Sequence, residues 1–124
     1  MAAAYGRFRE TGSPAFPEAL VKSWLETLRV PVPPGRVAGT AKEACRVAEE
    51  VGYPVVVKVS SARMLHKTES GAVVTGIRGP GDLRLAFAGV RSLAGDALRG
   101  DGFEGVLVEK QVPAGVEVIA GLQN

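Results

Sequence analysis

Apolar residues recur along this chain at two spacings, and the switches between them mark its elements. From Phe16 onward, Leu20, Trp24, Leu25 and Leu28 repeat at three and four residues, which predicts one face of a helix. Pro31, Pro33 and Pro34 forbid its continuation, and a short extended piece follows through Gly35 to Ala38. Thr40 and Glu43 stand at the spacing of a reciprocal capping pair, and Ala44, Cys45, Ala48 and Val51 form the stripe of a second helix. Gly52 suits its left-handed stop. The run Val55 to Val59 is β-branched at all but Lys58 and apolar on both faces, which predicts a central strand. Ser60 to Gly71 has no period, and a β pattern resumes from Ala72 to Ile77. Pro80 fits the first turn of a third helix, whose apolar face is Leu83, Ala86, Phe87, Val90 and Leu93. Four glycines in the eleven residues Gly95 to Gly105 predict a surface connection. Gly105 to Glu109 reads as a strand, Pro113 to Gly115 as a break, and Val116 to Ala120 as the start of another strand.

The alternation of helices and strands predicts an α/β (α+β) fold, a mixed or antiparallel sheet with helices packed on one face. At 124 residues, 46% hydrophobic and 23% charged, one domain with one core is expected. Fifteen basic against thirteen acidic residues leave a net charge of +2, too little to mark a polyanion binder, so no nucleic-acid partner is expected. The single cysteine, Cys45, closes no disulfide within the chain and builds no cysteine metal site, which predicts a reduced, cytoplasmic setting. No apolar run approaches the ~20 residues of a membrane span, and Met1 to Tyr5 lacks the pattern of a signal peptide.

The densest chemistry lies between Lys58 and Gly71, where Lys58, Arg63, His66 and Lys67 are interspersed with Ser60, Ser61, Thr68 and Ser70. Cations and hydroxyls in one short stretch suit phosphate, because they supply charge-assisted donors to its oxygens. The plainer alternatives are a Lys58 that snorkels to water and a His66 that is an ordinary surface residue. As the only histidine, His66 forms no histidine metal cluster. Glu109 and Glu117 have the chemistry to chelate Mg²⁺ or hold ribose hydroxyls, or equally to sit as solvated edge residues. The glycine signatures of P-loop, dinucleotide-binding and hydrolase folds do not occur.

Taken together, Gly52-Tyr53-Pro54-Val55-Val56-Val57-Lys58, Leu65-His66-Lys67-Thr68, Gly71, Gly105 to Glu109 and Gly115 to Gly121 resemble the ATP-grasp domain of NDP-forming acyl-CoA synthetases. This family includes the beta subunit of ADP-forming acetyl-CoA synthetase and a domain of bacterial protein acetyltransferases, with succinyl-CoA synthetase more distant. The resemblance spans about Pro14 to Gly121. It implies a loose arm over residues 1–13, a nucleotide-binding lobe over 14–112 and the start of a second lobe over 113–124.

It further implies that Lys58 contacts the phosphates of ATP or ADP, and that the loop carrying Lys67, Ser70 and Gly71 closes over them. By the same resemblance, His66 relays a phosphoryl group, Glu109, Lys110 and Val112 edge the adenine, and Glu117 approaches the ribose. The implied overall reaction is acyl-CoA + ADP + phosphate to acid + CoA + ATP, in either direction. In the complete family enzyme Mg²⁺ is held by the second half of the domain. These residues alone are therefore expected not to turn over, and to need a CoA-binding alpha subunit or C-terminal half as partner. The alternative is a non-catalytic module whose uncovered Val116, Val118 and Ile119 and open last strand promote self-association into a homo-oligomer.

Overall fold

The structure is a computed structural model that describes residues 6, 16–61, 63, 71–98, 103–116 and 118. Its elements run α1 (Glu18–Thr27), β1 (Gly35–Ala38), α2 (Ala41–Val51), β2 (Val55–Ser60), β3 (Val73–Ile77), α3 (Pro80–Leu98) and β4 (Gly105–Lys110). The four strands form one sheet in the order β1-β4-β2-β3, with every neighbouring pair antiparallel. The expected α/β lobe is present, and β2 is an inner strand, as its apolar run predicts.

Side chains alternate across a strand, so each inner strand divides its residues between two faces. Val55, Val57 and Val59 of β2 join Val106 and Val108 of β4 in the core. That core is closed by Ala44, Cys45, Val47 and Ala48 of α2 and by Leu83, Phe87, Val90 and Ala94 of α3. The opposite face receives Val56, Lys58 and Ser60 from β2 and Leu107 and Glu109 from β4, in the register Val56↔Glu109 and Lys58↔Leu107.

Local signals set the ends of α2. The Thr40 side chain accepts from the Glu43 amide, and the Glu43 carboxylate accepts from the Thr40 amide, which satisfies donors that a helix start leaves orphaned. Gly52 stops the helix at φ 80, in the half of conformational space that side chains with a Cβ avoid.

Three expectations are corrected. Helix α3 does not give way to a connection at Gly95 but continues through it to Leu98. Ala94, fully buried beside Val90, holds this turn against the core, and packing of that kind outweighs the ~1 kcal/mol by which glycine disfavours a helix. In α1 the apolar stripe Leu20, Trp24 and Leu25 is only half-buried, Leu28 is exposed, and the helix contributes no fully buried residue. Its polar side faces the sheet instead, because the sheet offers charges there. Of the expected last strand, Val116 and Val118 are described; neither is in a strand, and both are exposed.

Candidate functional site

The sheet face away from α2 and α3 carries a cluster of four charges. Lys58 stands in the interior of β2, and Glu109 is its diagonal neighbour on β4, close enough for direct side-chain contact. The Lys58 ammonium forms an ion pair with Glu109 Oε1 and donates to Glu18 Oε1 at 2.7 Å. The Lys22 ammonium donates to Glu109 Oε2. A chain Glu18–Lys58–Glu109–Lys22 thus alternates in sign across two strands and one helix. Glu18 and Lys22 are four residues apart and therefore on one side of α1, which lays both over the sheet.

Glu109 is the buried member, 5% exposed, and both of its carboxylate oxygens are held by ammonium groups. Among the described residues no group of three or more His, Cys, Asp or Glu side chains is gathered as a metal site. Beside it, Ala19, Lys22, Ser23 and Glu26 of α1 face Gly35, Arg36, Val37 and Leu107 across a cleft of 240 Å³. Ser60, also on this face, donates its hydroxyl to Glu104 at 2.9 Å, and the Ser61 hydroxyl accepts from the Arg63 amide at 3.1 Å.

Burial alone would make both central groups harder to ionise, and the ion pairs reverse that. For Lys58, desolvation pulls the pKa down, but bonds to Glu109 and Glu18 carry it above the ordinary lysine value. For Glu109, desolvation pushes the pKa up, but bonds from Lys22 and Lys58 hold it below the ordinary carboxylate value. A depressed carboxylate contributes stability that is present above its unfolded pKa, about 4.3, and is lost as pH falls through the folded value. A raised lysine contributes below about 10.4 and loses its contribution as pH rises through the folded value. Between these limits the Lys58 and Glu109 shifts add no pH dependence. In an acid titration followed by Trp24 fluorescence, the native protein should lose stability below about pH 4 more steeply than Glu109→Gln. Equal slopes for the two proteins would remove Glu109 from the acid response.

Of the residues singled out by sequence, the structure brings Lys58 and Glu109 into contact. Glu109 is not a solvated edge residue, because β1 pairs outside β4 and makes β4 an inner strand. Lys110 points to the helix-packed side, where its ammonium donates to the carbonyls of Gly52 at 3.0 Å and Tyr53 at 2.8 Å. Its amide donates to Pro34, the Gln111 amide donates to Pro54, and Gln111 Oε1 accepts from the Gly76 amide at 2.6 Å. Val112, just past these bonds, is exposed, and Gly71 takes a positive φ of 71 at the approach to β3. His66, Lys67, Ser70 and Glu117 lie outside the described residues. Glu18 and Lys22 were not among the sequence candidates; the signal that could have found them is their opposite charge at helical spacing.

The profile of the ATP-grasp domain matches residues 7–124. The chain belongs to the ATP-grasp family. Among curated relatives, it is 35% identical over 106 residues to the beta subunit of ADP-forming acetate–CoA ligase I from Pyrococcus furiosus. That match covers 86% of this chain and 45% of the relative. It is 34% identical over 108 residues to a prokaryotic trans-feruloyl-CoA synthase, covering 87% of this chain and 15% of that protein. This ATP-grasp chain therefore spans less than half the length of either relative.

Among solved structures, an acetyl-coenzyme A synthetase 1 of Ca. Korarchaeum cryptofilum, in complex with coenzyme A and Ca-AMPCP, superposes with a TM-score of 0.82 at 26% identity. The superposition covers 91% of this chain and 49% of that one. A second structure of that enzyme, with coenzyme A and Mg-AMPPCP, has its phosphohistidine segment pointing towards the nucleotide binding site. It gives a TM-score of 0.68 at 25% identity and covers 89% of this chain and 44% of that one. The sequence resemblance to ADP-forming acyl-CoA synthetases is thus matched in both relatives and fold. No helix among the described residues is long and apolar enough to cross a membrane.

Proposed function

We propose that these residues form the lobe that grips the phosphates of ATP or ADP in an NDP-forming acyl-CoA synthetase, catalysing acyl-CoA + ADP + phosphate to acid + CoA + ATP in either direction. The observation that carries this reading is the convergence of Lys58 and Lys22 on one buried carboxylate, beside a cleft on the sheet face that the core does not use. Two ammonium groups held at fixed positions by Glu109 are suited to phosphate, since their rotamers are set before the ligand arrives. The relatives' names and the nucleotide analogues in the solved structures support the same reading.

In this reading Lys67, Ser70 and Gly71 close over the phosphates, and Glu109, Lys110 and Val112 edge the adenine. Glu117 approaches the ribose. Phosphate displaces CoA from acyl-CoA to give an acyl phosphate, His66 takes its phosphoryl group with release of the acid, and ADP then takes the group from His66 to give ATP. Mg²⁺ neutralises phosphate charge when bound, and its ligands come from outside the cluster of Lys58 and Glu109. The partner is a CoA-binding subunit or domain, and the setting is cytoplasmic. The 124 residues by themselves hold nucleotide without turning it over.

Lys58→Met keeps most of the stem and removes the ammonium. Calorimetric titration with ADP should show affinity falling at least tenfold, the scale of one charge-assisted hydrogen bond of about 1.5–3 kcal/mol. Unchanged affinity in this variant would remove the phosphate role from Lys58 and with it the core of the reading.

A further inference from the structure

The ion chain on the sheet face contains one carboxylate more than a phosphate grip needs. Glu109 is buried and serves both lysines, so it fixes their positions. Glu18 differs in every respect that governs exchange. Its side chain is 35% exposed against 7% for Glu109. It sits in the first turn of α1, a helix with no fully buried residue and with Pro17 at its N-cap making no side-chain cap hydrogen bond. Its oxygen lies 2.7 Å from the Lys58 ammonium, on the sheet face where the proposed phosphate would have to lie.

A carboxylate oxygen and a phosphate oxygen make the same kind of bond to an ammonium group, so the two compete for one donor direction. With Glu18 in place the four side chains sum to zero charge, and the Lys58 ammonium is engaged by two carboxylates. With Glu18 withdrawn, Lys58, Lys22 and Glu109 carry a net charge of +1 and a vacant donor on Lys58.

From this geometry we infer that Glu18 is a built-in competitor for the phosphate seat: α1 latches the site shut through the Glu18–Lys58 bond, and nucleotide phosphate opens it by replacing that carboxylate. The inference rests on the phosphate-binding reading of Lys58 and adds to it the group that the ligand must displace. Binding free energy is then spent partly on moving α1, and removing the competitor returns that part to affinity.

Trp24 is the only tryptophan and lies on α1, packed edge-to-face on Phe16 at 4.9 Å, so its fluorescence reports the helix directly. The experiment titrates the full chain and Glu18→Gln with ADP, with and without Mg²⁺, reading affinity by calorimetry and α1 by Trp24 emission. Asp96→Asn, exposed on α3 at the other face of the sheet, controls for loss of one negative charge, and Glu18→Ala repeats the test with a different side chain.

Glu18→Gln and Glu18→Ala should bind ADP about five- to tenfold more tightly than the native chain, with Asp96→Asn unchanged. The Trp24 emission change that accompanies binding in the native chain should shrink in both Glu18 variants. Equal or weaker ADP affinity in both, with native Trp24 response, would overturn the latch and leave the phosphate site standing. Absence of ADP binding at millimolar concentration in all four proteins would overturn both readings together.

Discussion

Glu109→Ala should destabilise the fold by about 3 kcal/mol, the scale expected when one partner of a buried ion pair is removed, and lower the melting temperature by roughly 10 °C. Glu109 is the only one of the four clustered side chains that is almost wholly withdrawn from water, and it accepts from two ammonium groups. Its loss leaves Lys58 with Glu18 alone and strands Lys22 over an apolar surface made by Leu107 and Val37. The figure stands at the lower end for buried pairs because Lys22 and Lys58 can each reach some solvent. Thermal unfolding of the variant, with Glu109→Gln beside it, measures the effect. A loss below about 1 kcal/mol would mean that the cluster behaves as an ordinary surface ion pair.

Gly35→Ala should cost a comparable amount, about 3 kcal/mol, for a purely steric reason. A Cβ at Gly35 would stand 2.5 Å from both the Glu109 Cβ and the Val108 carbonyl oxygen, and 2.7 Å from the Glu109 Cα. These are backbone atoms or atoms bonded to it, so no side chain can swing aside to make room. The outer strand β1 must then separate from β4, and four paired residues on each strand are affected. Hydrogen exchange should show the Arg36 and Val108 amides, which face each other across β1 and β4, losing protection first. Native stability in Gly35→Ala would show that β1 moves aside freely.

The parts of the fold that were legible in the sequence are those decided locally. The capping pair Thr40 and Glu43 and the stop at Gly52 involve contacts within a few residues, and each is found as read. Lys58 was legible because a single cation interrupts an otherwise apolar strand. Its partners were not. Glu109 joins it through pairing between strands about fifty residues apart, and a sequence pattern does not say that β1 pairs outside β4 and so makes β4 an inner strand. Glu18 and Lys22 lie off the apolar stripe of α1, and only the placement of α1 across the sheet turns that side inward. The run from Gly95 misled for the opposite reason: its local preference for a turn is real, but Ala94 and Val90 pack well enough to carry α3 past it.

Lys110 and Gln111 tie the end of β4 to three separate places, Pro34 ahead of β1, the Gly52–Pro54 corner after α2, and Gly76 in β3. Mechanically this is a clamp at the root of a lever. A pull on the end of β4 is therefore shared among three elements of the lobe rather than borne by one strand pair.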